Sequence, residues 1–436
     1  MNESMFADSV RDLLVRGIAA AKAGDKDEAR RYLEQALAIG PTFEQRAQAF
    51  LWLAEVSDDA AEKRAHLEEV LAFDPANAAA RRMLAVVEGR LDPDRVVDPN
   101  QVAPPEPAKQ QRDQSVRARR FVCQQCGGRM AFTPDGRSLT CSYCQRQQSL
   151  MEALDDGALV EEQDFTVALA TAKGHCQPVA TRSFRCHGCG AAFVLPPKLL
   201  SSTCPYCDSA YVVEHVETQE LVPPEGIIPF AVSPDQAEKA LRNWMAAQGL
   251  PHRLDGPPTG VYFPVWTFDV GGEIPWQCLE RVQDRWVRRS SSKVIFEDDL
   301  MVPASRTLPL VVVQEIDGFD RAGIVAYDAR YLAYWPAETY EVSVADASLV
   351  ARRRAMDQAR EEILAKIFGV VRDFSLSSTR LIVESFKLVL VPLWVAHYRD
   401  EERQYTVAVN GQTAAVRGEV PAKGVKKWLS RLFGGG

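Results

Sequence analysis

The chain is short of long apolar runs. The longest, LVLVPLWVA (388–396), is nine residues, about half of what a membrane-crossing helix needs. The opening stretch MNESMFADSVRDLLV has neither a basic n-region nor an apolar h-region. No secretory leader is therefore expected, and the cytoplasm is the default compartment. Histidine is scarce, at six scattered residues, and there is no HExxH, no GxSxG and no paired carboxylate in a recognisable context. No catalytic constellation is legible on that basis. The absence of GxxxxGK[ST] removes the phosphate-cradling loop, and with it a helicase-type motor. A net positive charge is also lacking. A formal net charge of −8 confines any nucleic-acid contact to a local patch.

What the chain does have is paired cysteine. CQQCGGRMAFTPDGRSLTCSYC (Cys123 to Cys144) returns sixty-three residues later as CHGCGAAFVLPPKLLSSTCPYC (Cys186 to Cys207). In each copy two CxxC pairs flank a fourteen-residue spacer, long enough for a β-hairpin that carries the second turn back to the first. CxxC supplies two sulfurs from one tight turn, and Gly127, Gly128 and Gly190 ease the chain out of it. Zinc takes four such soft ligands at tetrahedral corners. About thirty residues bury too little apolar surface to fold unaided, so the metal would stand in for a core. Cys123, Cys126, Cys141 and Cys144 are the expected ligands of one Zn²⁺, and Cys186, Cys189, Cys204 and Cys207 of a second. Four thiolates leave no open position, so both ions are expected to be structural. They would take the net charge to about −12. Cysteines without an export signal favour metal over disulfides. His187 reads as a surface residue, and Cys176 and Cys278 as small packing residues.

Around these segments the chain divides into blocks, as 436 residues would suggest. The expected class is multidomain α+β. Residues 1–92 repeat with a period of 34, from Pro41 to Pro75. Small residues stand at Gly17, Ala29 and Ala36, where paired helices must approach closely, and the pattern resembles tetratricopeptide repeats. The second copy departs from it, with a short first helix and Lys63 at a small-residue position. Residues 93–117 are a proline-rich polar linker. Ribbon one (118–150), an acidic connector (151–181) and ribbon two (182–216) follow. An α+β domain spans 217–421, with helices at 234–248, capped by Ser233 and Pro234, and at about 345–368. Strands are expected at GVYFPVWTFDV, TLPLVVVQEI and TRLIVESFKLVLVPLWVAHYR. Asn410-Gly411 between two alternating runs predicts a type I′ hairpin turn. SSSK (290–293) and FEDD (296–299) read as a loop and a solvated face. YFPVWTFDV around Pro264 and Trp266 echoes LVPLWVAHY around Pro392 and Trp394, which hints at a duplicated helix-then-strand unit.

The CxxC…CxxC segments look like the zinc ribbons of transcription initiation factors, and like the zinc-binding part of primosomal replication protein N′. With VYFPVWTFD (261–269) and VNGQT…V.GE.P (409–421), the whole arrangement resembles uncharacterised bacterial double zinc-ribbon proteins. That resemblance implies an architecture more than an activity. The chain departs from the usual NGQTG in having Ala414.

The expected function is a non-catalytic, zinc-binding modular adaptor whose helical repeats take a protein or peptide partner. Two other readings stay open. Ribbon one sits in a stretch with eight basic side chains against two acidic. Arg117, Arg119, Arg120 and Arg129, interleaved with Phe121, Phe132 and Tyr143, could hold single-stranded nucleic acid. An enzyme is the second, with a site in the α+β domain that no motif betrays. The last residues (422–436) form a basic amphipathic tail. Trp428 and Phe433 lie on its apolar face and Lys426 and Lys427 on the other, suited to docking on the protein itself or on a partner, or to peripheral contact with a membrane surface.

Overall fold

A computed structural model of the chain describes residues 3–97, 118–119, 123, 125–126, 130–132, 138–141, 143–149, 160–175, 182–185, 192–195, 199–203, 210–213, 222–250, 254–305, 318–332, 337–338, 340–400 and 403–421. It is a mixed structure, with a helical region at the N-terminus and a sheet domain towards the C-terminus.

The helical region consists of α1 (Glu3–Ala23), α2 (Lys26–Ala38), α3 (Phe43–Val56), α4 (Ala60–Phe73) and α5 (Ala78–Val87). Its helix starts are written in capping residues. Asp25 and Asp59, 34 residues apart, each accept backbone N–H groups of the following first turn. Thr42 and Gln45 form a reciprocal capping box, and Asn77 caps α5. Ala29, Leu33 and Ala36 of α2 are fully buried. A Cβ on Gly17 would lie 2.8 Å from Leu33 Cγ, so the close approach of α1 to α2 depends on that glycine. Arg30 of α2 reaches Glu62 of α4 through two nitrogens, at 2.6 and 2.9 Å, and Ser57 Oγ donates to the same carboxylate at 2.7 Å.

The start of the expected linker is not free. A short 3₁₀ turn, Pro93–Arg95, leads into Val96, which bridges to Thr171, and Val97 N donates to Ala170 O at 2.9 Å. Apolar contact with α6 (Phe165–Ala170) explains this: Ala85, Leu91 and Ala170 form one small core. The acidic connector is thus helical at Phe165–Ala170; residues 151–159, which hold Glu152, Asp155 and Asp156, lie outside the described residues. The rest of the linker, 98–117, lies outside the described residues.

The sheet domain is organised by two long antiparallel strands, β11 (Thr259–Val282) and β16 (Arg380–Asp400). Each returns through a hairpin: β11 into β12 (Arg285–Pro303), and β16 into β17 (Arg403–Asn410) and then β18 (Val416–Gly418). A helix precedes each long strand, α7 (Pro234–Gln248) before β11 and α8 (Val344–Ala365) before β16. Short strands β10 (Gly226–Ile227) and β14 (Ala337–Glu338) precede the helices. Each adds in parallel to the long strand of the other half: Ile227 lies opposite Leu390, and Ala337 opposite Tyr262. β13 (Val325–Ala326) pairs with β10, and β15 (Val371–Leu376) pairs with the outer part of β11.

The echo between YFPVWTFDV and LVPLWVAHY has a spatial counterpart. Phe263 pairs with Val391, and about that pair the registers mirror each other, Tyr262 with Pro392 and Pro264 with Leu390. Trp266 Nε1 donates to Val342 O at 2.9 Å, one residue before the Ser343 cap of α8. Trp394 Nε1 donates to Val232 O at 3.0 Å, one residue before the Ser233 cap of α7. Tyr340 packs on Trp266 as Phe230 packs on Trp394, with ring centroids 4.8 and 5.1 Å apart. Each tryptophan therefore ties its strand to the helix start of the opposite half.

Two expectations fail here. SSSK belongs to β12, not to a loop, and FEDD continues the same strand with Phe296 and Asp298 exposed. Residues 285–294 of β12 are largely exposed on both faces, so they lack the apolar alternation that marks a half-buried strand. The two-residue I′ turn sits at Gln283–Asp284, both at positive φ, between Val282 and Arg285. At Asn410-Gly411 the loop is longer. Asn410 Oδ1 accepts the N–H groups of Gln412 and Thr413, Ala414 N donates to Asn410 O, and the left-handed residue is Ala414, at φ 64°. Gly411 is required for space: a Cβ would lie 2.8 Å from Phe230 and from Pro392. TLPLVVVQEI (307–316), Tyr334 and Trp335 lie outside the described residues.

Candidate functional site

The first sulfur segment folds around β2 (Met130–Phe132), β3 (Ser138–Cys141) and β4 (Gln147–Ser149), an antiparallel sheet of its own. The spacer is a hairpin, with Met130 opposite Cys141, and it returns the second CxxC to the first. All four sulfurs, of Cys123, Cys126, Cys141 and Cys144, lie within 4.8 Å of one another. Cys123 Sγ is 3.6 Å from Cys144 Sγ, and Cys126 Sγ is 3.4 Å from Cys141 Sγ. Disulfides would need about 2 Å. Tetrahedral coordination with arms of about 2.3 Å has an edge of about 3.8 Å, close to both spacings. Four cysteines in this arrangement could hold one metal ion.

Backbone geometry prepares the sulfurs for that role. The N–H groups of Tyr143 and Cys144 both point at Cys141 Sγ, at 3.4 Å. These bonds, Cys144's foremost, lower the Cys141 thiol to about 6, against the opposing effect of burial. The N–H groups of Gln125 and Cys126 lower Cys123 in the same way. Hydrogen bonds to the charged form favour thiolate, which is the form that binds metal. Gln145 takes a positive φ of 55° to turn the chain back, with its N–H on Cys141 O at 2.9 Å.

Cys186, Cys189, Cys204 and Cys207 lie outside the described residues, as do His187 and Cys176. The strands framing them are described: β6 (Arg182–Arg185) pairs with β7 (Ala192–Leu195), and β8 (Leu199–Thr203) with β9 (Ala210–Val213). Thr203 faces Ala210 across Cys204–Cys207, as Thr140 faces Gln147 across Cys141–Cys144. Unlike β2–β4, the β8–β9 pair joins the main sheet through β14, and β1 (Ala118–Arg119) adds to β9. Arg119 is on β1. Arg117, Arg120, Arg129, Phe121, Lys426, Lys427, Trp428 and Phe433 lie outside the described residues. Cys278 is buried, and burial raises its thiol.

A second polar feature was not legible as a site. Asp269 sits opposite two residues on each neighbouring strand, because the registers of β12 and β16 both shift between Phe268 and Val270. Its carboxylate spans the gap, accepting Asp299 N at 3.0 Å on one side and Ser385 Oγ on the other. Lys387 is buried between Asp299 (2.8 Å) and Glu162 (3.0 Å). Burial opposes its charge, but these two carboxylates outweigh it and raise the ammonium. Asp269 is raised to about 6 by burial, reinforced by Glu162. Nearby, Glu225 accepts Leu388 N at 2.7 Å, between the points where β5 (Gln163–Asp164) and β10 join β16. Burial raises it to about 7. Gln163 donates to Glu225, and Lys173 donates to Gln163. The only signal in the sequence was polar residues inside apolar strands: Asp269 in YFPVWTFDV, and Ser385 and Lys387 before LVLVPLW.

Beside this cluster a cavity of about 730 Å³ opens between Arg90, Glu162, Lys173, Glu225 and Tyr327. Arg90 is ion-paired with Asp164. The ionisable groups of the cluster hold one another and the strand edges, filling ladder positions that the bulges leave open. That is a clamp on the sheet. Within it Lys387 is held charged by Asp299 and Glu162, while burial lowers Lys173.

Among the described residues no helix is long and apolar enough to cross a membrane. The chain is similar to an uncharacterized protein of Bacillus subtilis (strain 168), YdjG. The two are 26% identical over 345 residues, covering 72% of this chain and 94% of that protein. No protein-family model matches the chain, and no solved structure matches it.

Proposed function

We propose that the chain is a non-catalytic modular adaptor of the double zinc-ribbon kind, with tetratricopeptide-like helix pairs offering a partner surface. Each ribbon would carry one structural zinc. The observation that supports this best is the closed set of four sulfurs at Cys123, Cys126, Cys141 and Cys144. A site with four protein thiolates leaves no position for water or substrate. The 34-residue spacing of Asp25 and Asp59, with Gly17 and Ala29 at close helix contacts, supports the repeat reading. Metal analysis of the intact chain should find two zinc per molecule, falling to one in Cys123→Ser/Cys126→Ser. Cobalt substitution should give a four-thiolate tetrahedral spectrum. One equivalent or none in the wild type, or a water-bound cobalt spectrum, sinks the reading.

A nucleic-acid role for ribbon one draws support from Tyr143, which stands 83% exposed on the knuckle three residues from Arg146. An exposed ring beside a cation is suited to base stacking. If six phosphates were engaged, affinity for single strands should fall roughly a thousandfold between 50 and 200 mM salt. A flat response, or binding unchanged in Tyr143→Ala, removes this reading.

A further inference from the structure

Among the described residues strand β12 has a ladder partner on one edge only. Its ladder runs to β11 alone, and from Arg285 to Glu297 the register is unbroken; the shift comes only beyond, at Asp298–Asp299. Natural edge strands are usually blunted by proline, a bulge, brevity or charged side chains; here the charges include Arg289 and Lys293, each of which pairs with a carboxylate of its own chain. This stretch has no proline and no bulge, and it exposes Val294 by 77% and Phe296 by 67%.

Its sequence is self-complementary when laid antiparallel on itself about Ser291. Arg285 then faces Glu297, an opposite-charge pair. Trp286 faces Phe296, two aromatics, and Val287 faces Ile295, two β-branched residues. Cross-strand pairs of these kinds are the favourable ones in antiparallel sheets. The middle is small, Ser290 against Ser292 and Ser291 against its own copy. One pair is like-charged, Arg289 with Lys293, but each already has a carboxylate in its own chain: Arg289 lies 2.7 Å from Glu280, and Lys293 pairs with Glu362. Sliding the alignment by two residues either way sets Val287 against Glu297 or Lys293 and dissolves the aromatic pair.

We propose that β12 is a homodimerisation edge, with a second copy of this chain adding antiparallel across a twofold axis at Ser291. Such an isologous contact closes on itself and does not propagate, so an open edge can be kept without fibre formation. The joined sheet would be continuous through two β11–β12 arms.

The test uses the full chain and measures mass in solution. At roughly 100 μM, where a contact with micromolar dissociation constant is essentially formed, the wild type should show twice the 48.4 kDa of one chain. Ser291→Lys and Ser291→Glu each put like charges face to face on the axis, and each should be monomeric; since Ser291 is exposed, each should keep the wild-type unfolding midpoint at a dilution where the wild type is itself monomeric. Mixing the two variants in equal amounts should restore a dimer. A monomeric wild type, dimers that persist in both variants, or a mixture that stays monomeric each overturns the proposal.

Discussion

The two halves of the sheet domain use one scheme and finish it differently. Each runs short strand, capped helix, long strand and return strand, and each lends a tryptophan to the other's helix start. The first half then extends its hairpin into an arm that β15 joins. The second ends in the Asn410–Ala414 loop between β17 and β18; the Gly411 carbonyl there accepts Ala231 N and Val232 N, as the Ala304 carbonyl of the first half accepts Glu341 N and Val342 N. The helices differ too. Buried α7 residues include Leu241 and Met245, where α8 has Ala351 and Ala355. The repeated part is therefore what joins the halves; the divergence lies in the β11–β12 arm and in the buried face of the helix that packs on each half.

That equivalence can be broken at its strongest point. Trp266 and Trp394 are buried at 0% and 2% exposure, and each satisfies a carbonyl just before a helix cap. Trp266→Ala and Trp394→Ala should each cost about 3–5 kcal/mol in denaturant unfolding, with similar values for both. A loss under about 1 kcal/mol at either position would mean that its half is not held by this device.

The halves also differ in a buried carboxylate. Glu225 lies on the edge of β16, and the position 110 residues on is Trp335. Burial lifts the Glu225 carboxyl from 4.5 to about 7, opposed by the Leu388 N–H, by Lys173 and by Gln163. The folded chain thus binds this proton more tightly than the unfolded one. The resulting stability is fully present below about pH 4.5 and is lost as pH rises through about 7. Glu225→Gln keeps an acceptor for Leu388 N–H and cannot ionise. Its stability relative to wild type should rise by roughly 3 kcal/mol across that window, read from unfolding curves at several pH values. A difference that does not vary with pH would show that Glu225 ionises normally.

How much of this was legible in the sequence follows from what each feature depends on. Local signals carried through: Ser233-Pro234 starts α7, and residues 379–399 mark β16 almost to the residue, because caps and long β-branched runs act within a few positions. The first sulfur set was legible because ligand spacing is itself a local code. β12 was missed because its outer part buries neither face, so it lacks the alternation that burial imposes. Asp269, Lys387 and Glu225 were missed because their roles arise from register shifts and strand edges, which depend on residues more than 100 positions away. The I′ turn was assigned to Asn410-Gly411 on intrinsic preference. The chain there forms a longer loop with Phe230 and Pro392 packed against Gly411, and the I′ turn sits at Gln283–Asp284.

The two hairpin loops sharpen the comparison with effects of opposite sign. Gly411→Ala pushes a methyl to 2.8 Å from Phe230 and the Pro392 backbone, and should destabilise by about 1–3 kcal/mol. It should do so without touching the β11–β12 arm, which unfolding followed by amide exchange in the two hairpins would show. Ala414→Gly is the smallest change. Ala414 holds φ at 64°, a conformation that costs an L-residue about 1 kcal/mol and glycine almost none. The greater freedom of glycine in the unfolded chain offsets part of that gain. A net stabilisation of about 0.5 kcal/mol is expected in denaturant midpoints. The related change Asp284→Gly in the other hairpin should give a gain of similar size, less the Arg281–Asp284 ion pair, whose 2.7 Å contact is solvent-exposed and weak. If Ala414→Gly destabilises instead, the loop is held by contacts of the alanine methyl, and the left-handed turn is not the strained element of this half.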